Sequence, residues 1–457
     1  MDLSNIPENP SYLLAIAVSA VIGLLVLVVH FRVHAFISLV LISTLTAIFA
    51  GIPVTALVPT LTKGFGGTLA SVALLVGLGA MIGKILEASG GAQVLADTLI
   101  GRFGEKNAPF ALGVASLLFG FPIFFDVGLV VLMPIILSVA YRFGGSLLVY
   151  ALPAAGAFAV MHAFVPPHPG PVAAADFLGA DIGLLLLVGL GIAIPTWYLG
   201  AYLFGLYSGN KYAISIDNKL FSPAQVPKEN APSFALVFII LVLPVVLISF
   251  NTVLNTLIKM DVVHEQNLLA QTFIVLGQTP IALLITLTVC LWVFSRQFDR
   301  NALQVLCEKS LAPICGIILV TGAGGMFGGV LRASGIGEAL AGVLSDTGMP
   351  IIVAAFVIST CLRVAQGSAT VALTTTAALL SPVVALAPEL SSLDLCLIVI
   401  SIAGGATVLS HFNDSGFWLV SRLLNMDEKT TLKTWTVMET LLGTIAFAIA
   451  ATLSVFV

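Results

Sequence analysis

Four places in this sequence set polar or charged residues inside apolar runs, and their types are those that hold an anion and a proton. The first is RVAQGSAT, residues 363–370. Arg363 presents a planar guanidinium suited to a carboxylate, at a depth where an arginine costs about 2.5–3.5 kcal/mol on insertion scales. Gly367 is placed to end one helix. Ser368 and Thr370 then fall at the start of the next, where free backbone N–H groups and the positive end of the helix dipole gather. Such a helix start receives anions. Arg363, Gln366, Gly367, Ser368 and Thr370 are therefore candidate substrate-binding residues. The alternative for Arg363 is an ion pair with Asp126 or Asp414 that fastens two helices together.

The second place is GFPIFFDVG, residues 120–128, where Pro122 removes a backbone donor and Gly128 loosens the next turn. Asp126 is the only acid between Glu105 and Asp176 and is flanked by Phe124, Phe125 and Val127. Burial among these side chains suits it to take up and release a proton. A carboxylate paired with Arg363, or capping the following helix, is the alternative.

The remaining two places are AFVPPHPGP after His162, and HFNDSG from His411. His168 sits among prolines that stop a helix. Asn413 and Asp414 precede Gly416, as a turn into a new helix requires. His162, His168, His411 and Asn413 are candidate hydrogen-bonding partners of a substrate, and Asp414 is a second candidate proton site. Packing accounts equally well for His162, and helix capping for Asp414. The scattered histidines form no metal set, and Cys290, Cys307, Cys315, Cys361 and Cys396 have no CxxC spacing. Neither a metal nor an organic cofactor is expected; the only coupling species is H+.

Positioning these groups falls to a membrane fold. Of 457 residues, 59% are hydrophobic and 9% charged, against about 25% charged in soluble domains. Mean hydropathy is +1.12. The formal charge of −4 comes with no basic tract for nucleic acid. Uninterrupted apolar spans lie near 12–30, 34–50, 66–86, 183–207, 233–250, 279–296, 311–331 and 434–456, and interrupted ones near 146–180 and 392–425. The apolar regions 108–142 and 351–386 break in mid-run and read as re-entrant hairpins. The N-terminus lacks the positive region of a secretory signal, so the first span is expected to be retained.

The chain repeats itself. Residues 77–99 and 322–344 share 11 of 23 positions at an offset of 245, among them Gly83/Gly328 and Leu86/Leu331. AAGAFAVMH, ending at His162, is echoed by AGGATVLSH, ending at His411. The halves are 1–207 and 232–457, joined by the polar linker 208–231. With both hairpins non-crossing, fourteen lysines and arginines fall on the cytoplasmic side and three outside. That places both termini outside and gives ten crossings. Five crossings then separate corresponding elements, so the second half is inverted relative to the first, as in many secondary transporters. The expected fold is an all-α polytopic membrane protein with an inverted repeat, about ten crossing helices, two hairpins and two broken helices. The Gly-x-Gly-x-x-x-Gly patterns in GLGAMIG and GAGGMFG are not a dinucleotide fingerprint. They lie within spans and suit close helix packing.

GFPIFFDVGLVVLMP, VPPHPGPVAA, VTGAGGMFGGVLRASGIG, QGSATVALTT and SHFNDSGFWLV resemble the gluconate permease family of bacterial inner-membrane proteins, and the likeness runs over nearly the whole chain. The resemblance implies proton-coupled uptake of a small hydroxy-carboxylate, with gluconate foremost and D-serine or another sugar acid as the alternative. It also implies kinship with the ion-transporter superfamily, whose members are often homodimers with a moving, elevator-type transport domain. Spans 12–50 and 233–296 would then be the static scaffold. Sodium-coupled members of that superfamily carry paired Ser-Asn-Thr tips. Here the tips are GSAT and FFDVG, which favours a proton carried by an acid. A passive anion channel is the rival of a different class. An enzyme is not expected, since no nucleophile motif occurs.

Overall fold

The structure is a computed structural model that describes residues 9–212, 214, 231–259, 262–264, 266–336, 339, 348–411 and 414–456. Most of the predicted linker 208–231, and Asn413, lie outside these residues. The described residues form helices α1 (Pro10–Leu25), α2 (Ala35–Phe49), α3 (Val54–Ala88), α4 (Gly91–Phe103), α5 (Ala108–Gly120), α6 (Phe125–Phe143), α7 (Leu147–Phe164), α8 (Pro169–Leu178), α9 (Ile182–Thr196) and α10 (Phe204–Lys211). Then come α11 (Phe234–Lys259), α12 (Leu268–Leu276), α13 (Thr279–Phe294), α14 (Arg300–Ala333), α15 (Ile351–Gln366), α16 (Ala369–Ala385), α17 (Ser392–Thr407), α18 (Ser415–Leu423), α19 (Glu428–Thr431) and α20 (Val437–Leu453). No strand occurs among the described residues.

The order of elements recurs. Long α3 and α14, the pairs α5/α6 and α15/α16, the pairs α7/α8 and α17/α18, and the helices from Ile182 and Glu428 begin within two residues of the 245-residue sequence offset. Among the described residues, six helices are long and apolar enough to cross a membrane, or up to eight if each bent pair is one span. Five further apolar helices have 10–17 residues. Two elements run longer than the hydropathy pattern indicates. The spans near 66–86 and 311–331 belong to helices of 35 and 34 residues.

Burial separates interior from periphery. In the best apolar window of 147–178, 83% of residues are buried, whereas that of 234–255 is only 28% buried. Exposed Ile239, Val246 and Phe250 on α11 present hydrocarbon where lipid is the solvent.

Glycines set how closely the interior helices approach. A Cβ on Gly83 of α3 would lie 2.8 Å from the Pro122 carbonyl, and one on Gly79 would lie 3.1 Å from the Pro167 ring. The same stripe therefore seats both breaks of the first half. On its counterpart α14, a Cβ on Gly328 would lie 3.3 Å from the Ala378 Cβ of α16. Small residues letting backbones approach is the usual basis of helix association in lipid.

Candidate functional site

Each break in the chain has a local cause. Gly367 closes α15 at φ +83°, a conformation that costs a residue with a Cβ about 1–2 kcal/mol. Ser368 caps α16 by accepting the Val371 N–H at 3.3 Å. Asp414 caps α18, its Oδ1 accepting the Gly416 N–H at 3.0 Å. Helix α6 starts at Phe125 with no side-chain cap, which leaves Asp126 in its first turn.

These three helix starts meet. A cavity of about 300 Å³ is lined by Phe125, Asp126 and Val127 from α6, Ala369 and Thr370 from α16, and Ser415 and Gly416 from α18. Phe124, His162, Arg363, Ser368, Thr407, Asp414, Trp435 and Glu439 complete the wall. That volume is at the small end of the usual range for small-molecule sites. Three N-termini aim unsatisfied N–H groups and the positive ends of their dipoles at one space.

Arg363 is 3% exposed. Its Nη2 lies 2.5 Å from Asp414 Oδ2, and its Nη1 donates to the Gly367 carbonyl. Of the two acids considered as its partner, it is therefore Asp414 that pairs. Asp414 also accepts from Ser410 Oγ. Ser410 in turn accepts the Trp435 indole N–H at 2.8 Å, and its carbonyl accepts from Thr436 Oγ1. Trp435 lies in the π-turn Leu432–Thr436, its ring 5.3 Å from that of Phe125. Every available oxygen of Asp414 is thus engaged.

Asp126 differs from its sequence expectation. It is exposed rather than buried among its phenylalanine neighbours, because the first turn of α6 faces the cavity. His162 lines the cavity, and its buried Nδ1 has no hydrogen-bond partner among the described residues. His168 is 3% exposed and lies outside the lining; its Nε2 hydrogen-bonds the Gly120 carbonyl at 2.9 Å. Its ring packs edge-on against His162 at 4.9 Å, so it supports His162 from behind. His411 likewise lies off the wall, its Nε2 3.1 Å from the Val364 carbonyl. Gly367 shapes the tip without lining the cavity.

Sequence reasoning missed Trp435, Thr407 and above all Glu439, which is 6% exposed and has an Oε1 without a partner among the described residues. The signal was present. Glu439 is an acid inside the span 434–456, and an intramembrane ionisable residue is a functional candidate by default.

Comparison with known proteins agrees with this architecture. Residues 12–456 match the family model described as GntP family permease. The inner membrane permease YgbN of Escherichia coli K12 is 40% identical, over 96% of this chain and 97% of its own length. A gluconate permease of Pseudomonas aeruginosa is 36% identical, over 98% of each. The fold resembles that of the YdaH transporter of Alcanivorax borkumensis, with TM-score 0.62 at 16% identity, covering 89% of this chain and 90% of that one.

Proposed function

Since the chain belongs to the GntP family of permeases, and is a multi-pass membrane transporter rather than an enzyme, we propose that it imports gluconate or a near sugar acid across the bacterial inner membrane together with a proton. The convergence of Arg363 and three helix N-termini on one cavity carries this reading. Arg363, Ser368 and Thr370 receive the carboxylate. His162, held by His168, bonds to hydroxyls, together with Gln366 and Asn413 from the two breaks. Asp126 is the coupling acid, since Asp414 is already committed to Arg363, Ser410 and the α18 cap. Protonation limits the net charge that has to be buried as the loaded site moves.

The proposed architecture is an inverted repeat with ten crossings. The breaks at 120–124 and 366–368 are hairpin tips entering from opposite sides, and both termini are periplasmic. An elevator-type motion of the site against a scaffold built from 12–50 and 233–296, in a homodimer, completes it. The recurring order of helices and the lipid-facing surface of α11 support this arrangement.

The test is uptake of labelled gluconate by purified protein in liposomes under an inward proton gradient. Accumulation that collapses with a protonophore and resists excess D-serine is expected. Equilibration without accumulation would replace the symporter with a passive channel. Block by D-serine would reassign the substrate to an amino acid.

A further inference from the structure

Glu439 has no place in the roles assigned above, yet its surroundings are built with care. It stands one helical turn after Trp435 and one before Gly443, so the three share a face of the C-terminal helix. Trp435 is anchored to Ser410. Gly443 is pressed against Gly404 of α17, where a Cβ on Gly404 would lie 2.8 Å from the Gly443 carbonyl. The helix is therefore held by contacts on both sides of Glu439.

The charged and titratable groups that share its cavity are Arg363, Asp414, Asp126 and His162. Arg363, the one lysine or arginine among the described residues of the wall, already faces Asp414 and the Gly367 carbonyl. Glu439 is left with a buried Oε1 that no described residue satisfies. A buried polar atom without a partner is costly, and far more so when it is charged. A group that entered the cavity could remove that cost.

We propose that Glu439 contacts the transported substrate as a neutral carboxylic acid, exchanging hydrogen bonds with a hydroxyl of the sugar acid, and so helps to select polyhydroxylated carboxylates. A carboxylic acid can both donate and accept, as a hydroxyl does. A carboxylate in the same place would favour the ammonium of an amino acid. The inference rests on the sugar-acid reading of the site.

Binding of labelled gluconate to the purified transporter tests it, with Glu439→Leu and the isosteric Glu439→Gln beside the wild type. Loss of one hydrogen bond to the ligand predicts roughly tenfold weaker binding for Glu439→Leu. Glu439→Gln, which keeps a donor and an acceptor, recovers most of it and serves as the control for folding. A deoxygluconate lacking the partner hydroxyl binds Glu439→Leu and wild type alike. Wild-type affinity in Glu439→Leu would overturn the proposal, as would a Gln variant as weak as Leu, which would mean that a charge is required. Absence of gluconate binding by the wild type would instead sink the sugar-acid reading, independently of Glu439.

Discussion

Replacing Asp414 by Asn separates the two duties of this residue. The amide still accepts the Gly416 N–H and keeps the α18 cap, but the charge opposite Arg363 is gone. The side chains are 3% and 12% exposed and 2.5 Å apart. Leaving one member of a buried pair alone costs about 3–5 kcal/mol. Asp414 faces a cavity and the amide keeps the cap, so the lower end applies, about 3 kcal/mol. In a helical protein of this size that is a fall of the unliganded melting midpoint on the order of 3 °C.

A substrate carboxylate should reverse the loss, because in the variant it restores the missing negative charge. In the wild type it must share Arg363 with Asp414. At one fixed gluconate concentration the increase in midpoint is therefore larger for Asp414→Asn than for the wild type. Ligand at 100 times its Kd stabilises by about 2.7 kcal/mol, so the shifts are measurable in detergent by thermal unfolding. An unchanged midpoint without ligand would refute the ion pair as a structural element of the empty site. A lowered midpoint with only the wild-type ligand increment would remove Arg363 from carboxylate binding.

Three further outcomes are expected. Arg363→Lys keeps the charge but loses the planar fork, and should raise the KM for gluconate at least about tenfold in uptake assays; a near-normal KM would exclude a bidentate role. Asp126→Asn should abolish pH-driven accumulation in liposomes while leaving counterflow exchange, and persistent accumulation would move the coupling proton elsewhere. A single cysteine placed in 208–231 on a cysteine-free background should resist impermeant reagents in intact cells, and ready labelling would overturn the proposed orientation.

The breaks were legible because each has a local cause. Gly367 and Ser368 announce a helix end and a cap, Asp414 a cap, and Pro122 a missing donor. An arginine in an apolar run likewise declares itself. Which broken ends face one another is another matter, because it depends on contacts between residues distant in sequence. Arg363 had two candidate acids, and only the apposition of the α15 tip with the α18 cap decides for Asp414. His168 appeared a ligand by its isolation among prolines, whereas its ring is spent on the Gly120 carbonyl. Asp126 was placed among its phenylalanine neighbours by proximity in sequence, but it shares a cavity wall with them and is exposed there, which sequence adjacency alone does not show. Glu439 was overlooked because a single acid barely lowers the mean hydropathy of the apolar span 434–456.

For the proposed symport, the assembled site offers a physical reason for the proton. Arg363 and Asp414 cancel, so the remaining formal charges belong to Asp126, Glu439 and the substrate. With both acids ionised, the loaded cavity would hold −3. With Glu439 neutral it would hold −2, and with Asp126 also protonated, −1. The three helix N-termini that line the cavity supply roughly half a positive charge each, about +1.5 together. They can balance a single substrate anion but not two or three negative charges in a low-dielectric setting. Were Asp126 ionised in the empty cavity, with the others neutral or paired, the charge would also be −1 and would meet the same positive ends. On the proposed reading, proton and substrate are linked through one electrostatic limit: the site would accommodate either an ionised Asp126 or a bound carboxylate beside a protonated one. In the proposed symport a proton would then bind and leave with the substrate, and Asp126→Asn, fixed in the neutral form, should bind gluconate with an affinity that no longer varies with pH through this residue.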